Sequence, residues 1–282
     1  MKLVTYDDGA GPRVGLLEGD EIRDAGFDGE MVAFIEAGAP IGETRPVNGA
    51  RLLAPLRPRS LRDFLTWEGH MKNALTRLGR EVPQEWYEVP AYYKAFGDTV
   101  IGPDETIPWP HYTDRLDHEL ELAAVIGKPG RDIPRERALE HVFGWTIWND
   151  LSARDVQTRE LPIGMGPAKA KDWDGSNVLG PCIVTADEFD PTRGRLMARV
   201  DGEVWSMGSL GLALGTFPDL IAELSRSQTL YPGDIVGSGT FQGGCALDLG
   251  LQLEAGSVVE LEAEGIGVLR NQVGTPPVGR AA

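Results

Sequence analysis

Two glutamates, Glu119 and Glu121, lie two residues apart in the segment RLDHELELAAVIG. Leucines alternate with them as in a β-strand, and strand side chains two apart point to the same face of a sheet. The two carboxylates therefore repel each other unless a cation lies between them or water separates them. A solvent-exposed strand face is the simpler interpretation of this segment alone.

A third carboxylate, that of Asp150, ends the strand-like segment GWTIWND, from where a side chain can reach a cleft. Together the three acids form a set of oxygen donors that includes no cysteine and no paired histidine. Such a set favours a hard cation, Mg²⁺ or Mn²⁺ rather than Zn²⁺. The fold must therefore bring the strand that carries Glu119 and Glu121 close to the strand end that carries Asp150.

The composition is that of an ordinary globular protein, with 282 residues of which 41% are apolar and 25% charged. A formal charge of -16 argues against a nucleic-acid-binding surface. No apolar run approaches the roughly 18 residues that a membrane helix needs. The only cysteines, Cys182 and Cys245, are too few for a disulfide framework and are better explained as core residues. We therefore expect a cytoplasmic protein without nucleic-acid or membrane partners.

Turn signals and apolar periodicity predict a strand-rich α+β protein. The Pro-rich connector APLRPRS separates a small N-terminal unit, residues 1–57, from a larger domain, residues 58–282. The larger domain begins with a predicted helix, SLRDFLTWEGHMKNALTRLG, that Gly79 ends. Strand segments dominate beyond it, including CALDLGLQLEAG, and two helical segments interrupt them, RERALEHV and FPDLIAELSRS.

Several motifs match one enzyme family. ELEL at residues 119–122 is followed by NDLSARDVQ at residues 149–157, and further matches are DFLTWEGH, KDWDG, GSGTF and EGIGVLRN. From about residue 60 to residue 272 the sequence resembles the fumarylacetoacetate hydrolase family. The resemblance implies a catalytic domain of mixed β-sandwich and β-roll architecture behind a small N-terminal α/β domain. It also implies a homodimer.

The resemblance assigns a metal site to the acidic residues. It implies that Glu119, Glu121 and Asp150 bind a divalent cation, Mg²⁺ or alternatively Mn²⁺ or Ca²⁺, so that repulsion between the glutamates becomes chelation. Asp63 occupies the position of a fourth carboxylate ligand in the family. The alternative for Asp63 is a helix N-terminal residue that interacts with the helix dipole.

A general base is implied at His70, which a helix would place two turns beyond Asp63. The other histidines, His111, His118 and His141, match no such position and are predicted to be surface or structural groups. Asp248 stands where the family has a glutamate that orients the histidine. Because aspartate is shorter, Glu68 is an alternative. Lys171 matches the lysine beside the metal, and Lys169 is its alternative.

Four residues match positions that contact substrate in the family: Arg154, Gln157, Tyr93 and Thr240. A guanidinium suits a substrate carboxylate, whereas Tyr93 is equally explained as a core aromatic. Leu65 and Leu161 stand where the family enzyme has tyrosines. Losing these hydroxyl donors predicts a less polar distal substituent than fumarate.

The implied activity is metal-dependent hydrolysis of a carbon-carbon bond in a 1,3-dicarbonyl acid, such as an acylpyruvate or a fumarylacetoacetate-like acid. The metal acts as Lewis acid, His70 activates water, and one product leaves as a metal-bound enolate. The alternative on the same scaffold is a decarboxylase, hydratase or isomerase of an oxo or dienoic acid. A non-catalytic binding protein is a third hypothesis, and the intact set of site residues argues against it. In each enzymatic case the partner is a small oxo acid.

Overall fold

The structure is a computed structural model that describes residues 1–77, 79–213 and 215–277. Within these residues the strands are β1 Lys2–Asp7, β2 Pro12–Glu18, β3 Glu21–Asp24, β4 Arg45–Val47, β5 Arg51–Leu53, β6 Leu61–Phe64, β7 Tyr92–Ala95, β8 Val100–Ile101, β9 Leu116–Asp117, β10 Leu120–Ile126, β11 Val142–Asp150, β12 Ser152–Ala153, β13 Asn177–Thr185, β14 Arg195–Val200, β15 Glu203–Ser209, β16 Ile235–Gly237, β17 Val258–Ala263 and β18 Gly267–Gln272.

The α-helices are short: α1 Met31–Glu36, α2 Glu68–Arg77, α3 Arg154–Glu160, α4 Phe217–Ser225 and α5 Ala246–Leu249. Turns of 3-10 helix cover Gln84–Tyr87, Gly97–Thr99, Arg135–His141, Leu161–Ile163, Lys169–Lys171 and Leu210–Leu212. None of the helices in the described stretches combines the length and the apolar character needed to cross a membrane.

A large mixed sheet forms the centre of the molecule, with strand order β4-β3-β2-β1-β13-β11-β10-β16-β6-β7. The N-terminal strands continue this sheet because β1 pairs with β13, where Leu3 lies opposite Ile183. One hydrophobic cluster joins Leu3 and Phe34 of the N-terminal unit to Val125 and Trp148 of the central strands. Residues 1–57 thus pack on the same sheet as the rest, and the domain boundary near residue 58 stays a prediction.

A second, four-stranded sheet has the order β15-β14-β17-β18. The main hydrophobic cluster contains residues of both sheets, among them Leu122, Ile147, Leu196 and Leu261. Two sheets therefore share one core, as alternating strand sequences predict. This arrangement confirms the predicted strand-rich α+β fold class.

The predicted helix over residues 60–79 is wrong in its first half. Leu61–Phe64 forms β6, whose four residues are all buried, and α2 begins only at Glu68. β6 runs parallel to β16, and its pairing within the sheet overrides the local helical pattern. Asp63 is therefore a strand residue and not the N-terminal residue of a helix. Leu78, at the end of the predicted helix, lies outside the described residues.

The predicted strand CALDLGLQLEAG is also wrong at its start, where Ala246–Leu249 forms α5. Gly250 ends this helix with a left-handed φ of 73°, a conformation that suits glycine. The amides of Ala246 and Leu247 donate to the carboxylate of Asp117, distant in sequence. This tertiary contact satisfies the first turn and cannot be deduced from the local alternation of leucines.

Two helical predictions have different outcomes. FPDLIAELSRS forms α4, and a capping box between Thr216 and Asp219 opens it, which confirms the prediction. RERALEHV forms a 3-10 helix, Arg135–His141, instead of an α-helix. Helix α3, Arg154–Glu160, was not predicted, because its polar residues give no apolar periodicity.

The carboxylate of Asp24, at the end of β3, is buried and supplies one testable contribution to stability. It accepts hydrogen bonds from the Tyr6 hydroxyl, from Arg13 Nε at 2.8 Å and from the amide of Gly26 at 2.7 Å. Burial alone would raise the pKa of Asp24, but these donors outweigh burial and hold the pKa below its usual range. The ionised carboxylate therefore stabilises the fold above the pKa of the unfolded chain.

We expect Asp24→Asn to lower the free energy of unfolding at pH 7 by about 1 to 3 kcal/mol, because the charged acceptor of the buried donors is lost. The difference from wild type should shrink as the pH falls through the folded-state pKa, since the wild-type carboxylate then takes up a proton. Urea denaturation at neutral and acidic pH measures both effects. Asp28→Asn, at an exposed position, is the control. Equal losses at both pH values would contradict a role for the charge.

Candidate active site

The central strands bring three acidic side chains together. Glu121 lies on β10 opposite Trp148 of β11, and Asp150 ends β11. β16 separates β10 from β6, where Asp63 lies opposite Gly237. A β-carbon at Gly237 would lie 2.6 Å from Asp63 Oδ1 and 2.7 Å from the Trp148 ring. Glycine at this position therefore leaves the space into which the Asp63 carboxylate fits.

Carboxylate oxygens of Asp63, Glu121 and Asp150 all lie within 4.8 Å of one another. We call these three residues the carboxylate cluster. Burial, followed by repulsion between neighbouring carboxylates, raises the pKa of Asp63 to about 8 and that of Asp150 to about 6. The same causes raise the pKa of Glu121 well above its usual range. Without a positive charge among them, ionised groups at these positions are costly.

The carboxylate cluster fits a hard divalent cation. Both oxygens of Glu121 are buried, and no amide, hydroxyl or cationic side chain among the described residues hydrogen-bonds to them. The side chain within hydrogen-bonding reach is another acid, Asp63. Unsatisfied carboxylate oxygens that converge with two further carboxylates form the donor set that Mg²⁺ and Mn²⁺ prefer. Asp63, Glu121 and Asp150 are thus the residues that would hold the ion.

Glu119 lies beside the cluster and is neutralised by two cations. Arg154 Nη2 donates to its Oε1 at 2.7 Å, and Lys171 Nζ donates to its Oε2 at 2.6 Å. Burial alone would raise the pKa of Glu119, but the charges of Arg154 and Lys171 hold it well below its usual range. The structure therefore brings Asp63, rather than Glu119, into contact with Glu121 and Asp150. A metal-binding role for Glu119 stays a prediction.

Lys171 joins Glu119 to the carboxylate cluster. It is buried at the end of a 3-10 helix, and its ammonium group donates to both Glu119 and Asp150. Burial alone would lower the pKa of Lys171, but the two carboxylates outweigh burial and raise it. The alternative residue Lys169 is exposed and donates to the carbonyl of Asp172.

His70, in the first turn of α2, is buried between two acids. Its Nδ1 lies 3.1 Å from Asp248 Oδ1, and its Nε2 lies 3.9 Å from Glu119 Oε1. Asp248 lies on α5 and reaches the imidazole from there, although its side chain is shorter than that of glutamate. The amide of Gly243 donates a hydrogen bond to the Asp248 carboxylate at 2.8 Å. Glu68, the alternative partner, is 39% exposed and pairs with Lys72. We call His70 and Asp248 the histidine–aspartate pair.

The residues predicted to contact substrate lie in different settings. Arg154 is buried, with Nε on Asp117 at 2.7 Å and Nη1 on Gln157 at 3.0 Å in addition to its bond to Glu119. The Tyr93 hydroxyl donates to Asp150 Oδ1, which places the ring at the cluster. The Thr240 hydroxyl donates to the backbone carbonyl of Leu120 at 3.2 Å.

Leu65 and Leu161 are 40% and 36% exposed. No residue that lines a cavity with Leu65 belongs to the carboxylate cluster or to the histidine–aspartate pair. Roles for these leucines and for the four residues above in substrate binding stay predictions.

Asp117 was not among the predicted site residues. Its carboxylate accepts hydrogen bonds from Arg154 Nε and from the amides of Ala246 and Leu247. It thus connects the segment that carries Asp248 to the arginine that holds Glu119. The signal was available, because Asp117 continues the same two-residue spacing as Glu119 and Glu121.

His118 was predicted to be a surface or structural group and is fully buried. Its ring lies 5.9 Å from the Trp205 ring, measured between centroids, and burial lowers its pKa. A neutral, packed imidazole agrees with the structural alternative.

Comparison with known proteins identifies the family. The model of the fumarylacetoacetate (FAA) hydrolase C-terminal domain matches residues 61–274, and the Rv2993c-like N-terminal model matches residues 1–55. The chain therefore belongs to the fumarylacetoacetate hydrolase family.

Relatives with assigned names include two tautomerases. The mitochondrial oxaloacetate tautomerase FAHD2A of Homo sapiens is 34% identical over 260 residues, which cover 86% of this chain and 79% of that protein. The oxaloacetate tautomerase YisK of Bacillus subtilis is 33% identical over 231 residues, covering 79% of this chain and 73% of the relative. Among solved structures, the fumarylacetoacetate hydrolase EaFAH from Exiguobacterium antarcticum has a TM-score of 0.83 at 31% identity. That comparison covers 98% of this chain and 99% of EaFAH.

Removing one charge from the carboxylate cluster should have opposite effects with and without metal. We expect Mn²⁺ or Mg²⁺ to raise the Tm of the wild-type protein, and Glu121→Gln to weaken cation binding by about 100-fold. In metal-free buffer the variant should be at least as stable as wild type, because one repelling carboxylate is gone. Thermal shift and calorimetric titration measure both effects.

The exposed Glu254→Gln is the matched control for this experiment and should bind the cation like wild type. Full metal-induced stabilisation of the Glu121→Gln variant would show that the cation binds elsewhere.

Proposed function

We propose that this protein catalyses keto-enol proton transfer on a small 2-oxo acid, with oxaloacetate as the first substrate to test. The observation that carries the proposal is the histidine–aspartate pair. One ring nitrogen of the buried His70 is bound to Asp248 and the other is directed toward Glu119, which Lys171 joins to the carboxylate cluster. The two relatives named oxaloacetate tautomerases support the same reaction class.

The histidine–aspartate pair is arranged for acid-base work. Asp248 accepts the proton on Nδ1 of His70, which fixes the tautomer and leaves the lone pair on Nε2. Nε2 can then take a proton from the carbon next to the keto group and return it to the enol oxygen. The reverse path regenerates the ketone, so one side chain serves both directions without consuming water.

The neighbouring charges stabilise negative charge that develops on the substrate. Lys171 is a fixed, buried ammonium group between Glu119 and Asp150, and Arg154 holds the far oxygen of Glu119. A divalent cation bound by Asp63, Glu121 and Asp150 would supply Lewis-acid polarisation of the substrate oxygens. The surrounding residues are buried, so little water competes for these interactions.

Hydrolysis of a carbon-carbon bond in an acylpyruvate is the second candidate function. The same Nε2 of His70 is placed to deprotonate a water molecule instead of a carbon acid. The overall similarity to EaFAH, titled a fumarylacetoacetate hydrolase, supports this candidate. The two functions differ in whether water takes part, and that difference is measurable.

The deciding experiment follows the enol absorbance of oxaloacetate in the presence of protein loaded with Mg²⁺ or Mn²⁺. We expect a rate above the uncatalysed one, and His70→Ala should reduce it by about 10²- to 10⁴-fold because the base is lost. The exposed His111→Ala is the matched control and should retain wild-type turnover.

Product analysis separates the candidates in the same experiment. Cleavage of acylpyruvates in heavy-oxygen water, with label in the released acid and no tautomerase rate, would replace the proposal by the hydrolase. Release of carbon dioxide from oxaloacetate as the main reaction would replace it by a decarboxylase.

Asp117→Asn tests the connection beneath the site. Asparagine keeps one acceptor oxygen, which can serve either Ala246 or the pair of Leu247 and Arg154, and it loses the negative charge beside Arg154. Glu119 and the histidine–aspartate pair should therefore lose their fixed positions. We expect kcat to fall by about 10- to 100-fold, with a smaller change in KM. Steady-state kinetics and Tm measure the effect. Unchanged kcat at unchanged Tm would show that Asp117 serves the fold alone.

A further inference from the structure

Cys245 lies next to the histidine–aspartate pair and adds a sulfur donor to it. Its Sγ is 3.8 Å from Nδ1 of His70, and one ligand atom from each of Cys245, His70 and Asp248 lies within 4.8 Å of the other two. We propose that these three residues form a second cation site, selective for Zn²⁺ and similar thiophilic ions, that is distinct from the carboxylate cluster and inhibits the enzyme.

The distances in this group match tetrahedral Zn²⁺ coordination. At usual bond lengths, sulfur and nitrogen ligands of Zn²⁺ lie about 3.5 Å apart, and nitrogen and oxygen ligands about 3.4 Å apart. The corresponding distances are 3.8 Å between Cys245 and His70 and 3.1 Å between His70 and Asp248. Two of the three ligand pairs are thus within a few tenths of an ångström of these values, and Cys245 and Asp248 lie within 4.8 Å of each other, with the fourth position open to water.

The two groups of ligands select different ions. The carboxylate cluster offers oxygen alone, which suits Mg²⁺ and Mn²⁺, whereas thiolate and imidazole favour Zn²⁺. Selection by ligand type means that excess Mg²⁺ does not displace Zn²⁺ from the sulfur-containing site.

A cavity borders the proposed site on the side of Asp248. This cavity, of 680 Å³, is lined by Glu68, Gly69, Gly243 and Asp248, among other residues. Asp248 thus belongs both to the cavity wall and to the proposed ligand set.

Inhibition follows from the tautomer of His70, and this consequence rests on the proposed function. A neutral imidazole that binds a metal through Nδ1 carries its remaining proton on Nε2. Nε2 then cannot accept a proton from substrate. Binding also replaces the hydrogen bond to Asp248 and releases the thiol proton of Cys245 to solvent. One ion therefore blocks the base without touching the carboxylate cluster.

Cobalt provides a readout of the site that does not depend on activity. We expect Co²⁺, added to protein kept in excess Mg²⁺, to produce a sulfur-to-cobalt charge-transfer band at one equivalent. Cys245→Ala should abolish the band, while Cys182→Ala, which removes the other buried thiol, should retain it. Should the alanine variant fail to fold, Cys245→Ser removes the sulfur with a closer match in size.

Zn²⁺ inhibition completes the test. Cys245→Ala should keep its Mg²⁺-dependent turnover and need about tenfold or more Zn²⁺ for half inhibition, whereas Cys182→Ala should behave as wild type. Absence of the cobalt band, or its survival in Cys245→Ala, would overturn the proposed site. An intact band in a protein without tautomerase activity would instead refute the proposed function and leave the cation site standing.

Discussion

The structure of the site depends on the burial of more negative than positive charge. Asp63, Glu119, Glu121 and Asp150 are all buried, and the cations that directly contact them are Lys171 and Arg154. Both cations bind Glu119, so its charge is balanced. Among the residues that the structure describes, the cation that contacts the carboxylate cluster is Lys171, through Asp150. The remaining charge must be removed by protons or balanced by a bound cation, because buried ionised carboxylates without partners are too costly.

The sheet determines where the buried negative charges lie. Strands β10, β11 and β6 place Glu121, Asp150 and Asp63 within 4.8 Å of one another, and Gly237 of the intervening β16 leaves space for the Asp63 carboxylate. The base, by contrast, comes from α2 and α5, which lie outside the sheet. Asp117 connects the two parts because it accepts from Arg154 on one side and from the first amides of α5 on the other. The positions of acid, base and cation site therefore depend on each other.

Much of the site was predictable because it rests on local periodicity. The two-residue spacing placed Glu119 and Glu121 on one face, and the family motifs indicated His70, Asp248 and Lys171, which the structure brings together. The strand conformation of Asp63 was not predictable, because the pairing of β6 with β16 outweighs a helical sequence pattern. The α5 helix was missed for a similar reason, since Asp117, far away in sequence, satisfies its first amides. In both cases, contacts between residues distant in sequence determined the secondary structure.

His70 has three neighbours around its two ring nitrogens, and these neighbours determine which nitrogen is basic. Asp248 and Cys245 both lie on the Nδ1 side, while Glu119 lies on the Nε2 side. Hydrogen bonding of Nδ1 to Asp248 leaves Nε2 basic, whereas a cation on Nδ1 moves the proton to Nε2 and removes that basicity. The two candidate functions, keto-enol transfer and hydrolysis, would both use this basic nitrogen and would differ in the atom that gives up the proton. Under the proposed function, the reaction type depends on which proton donor reaches Nε2, and inhibition depends on whether a cation binds Nδ1.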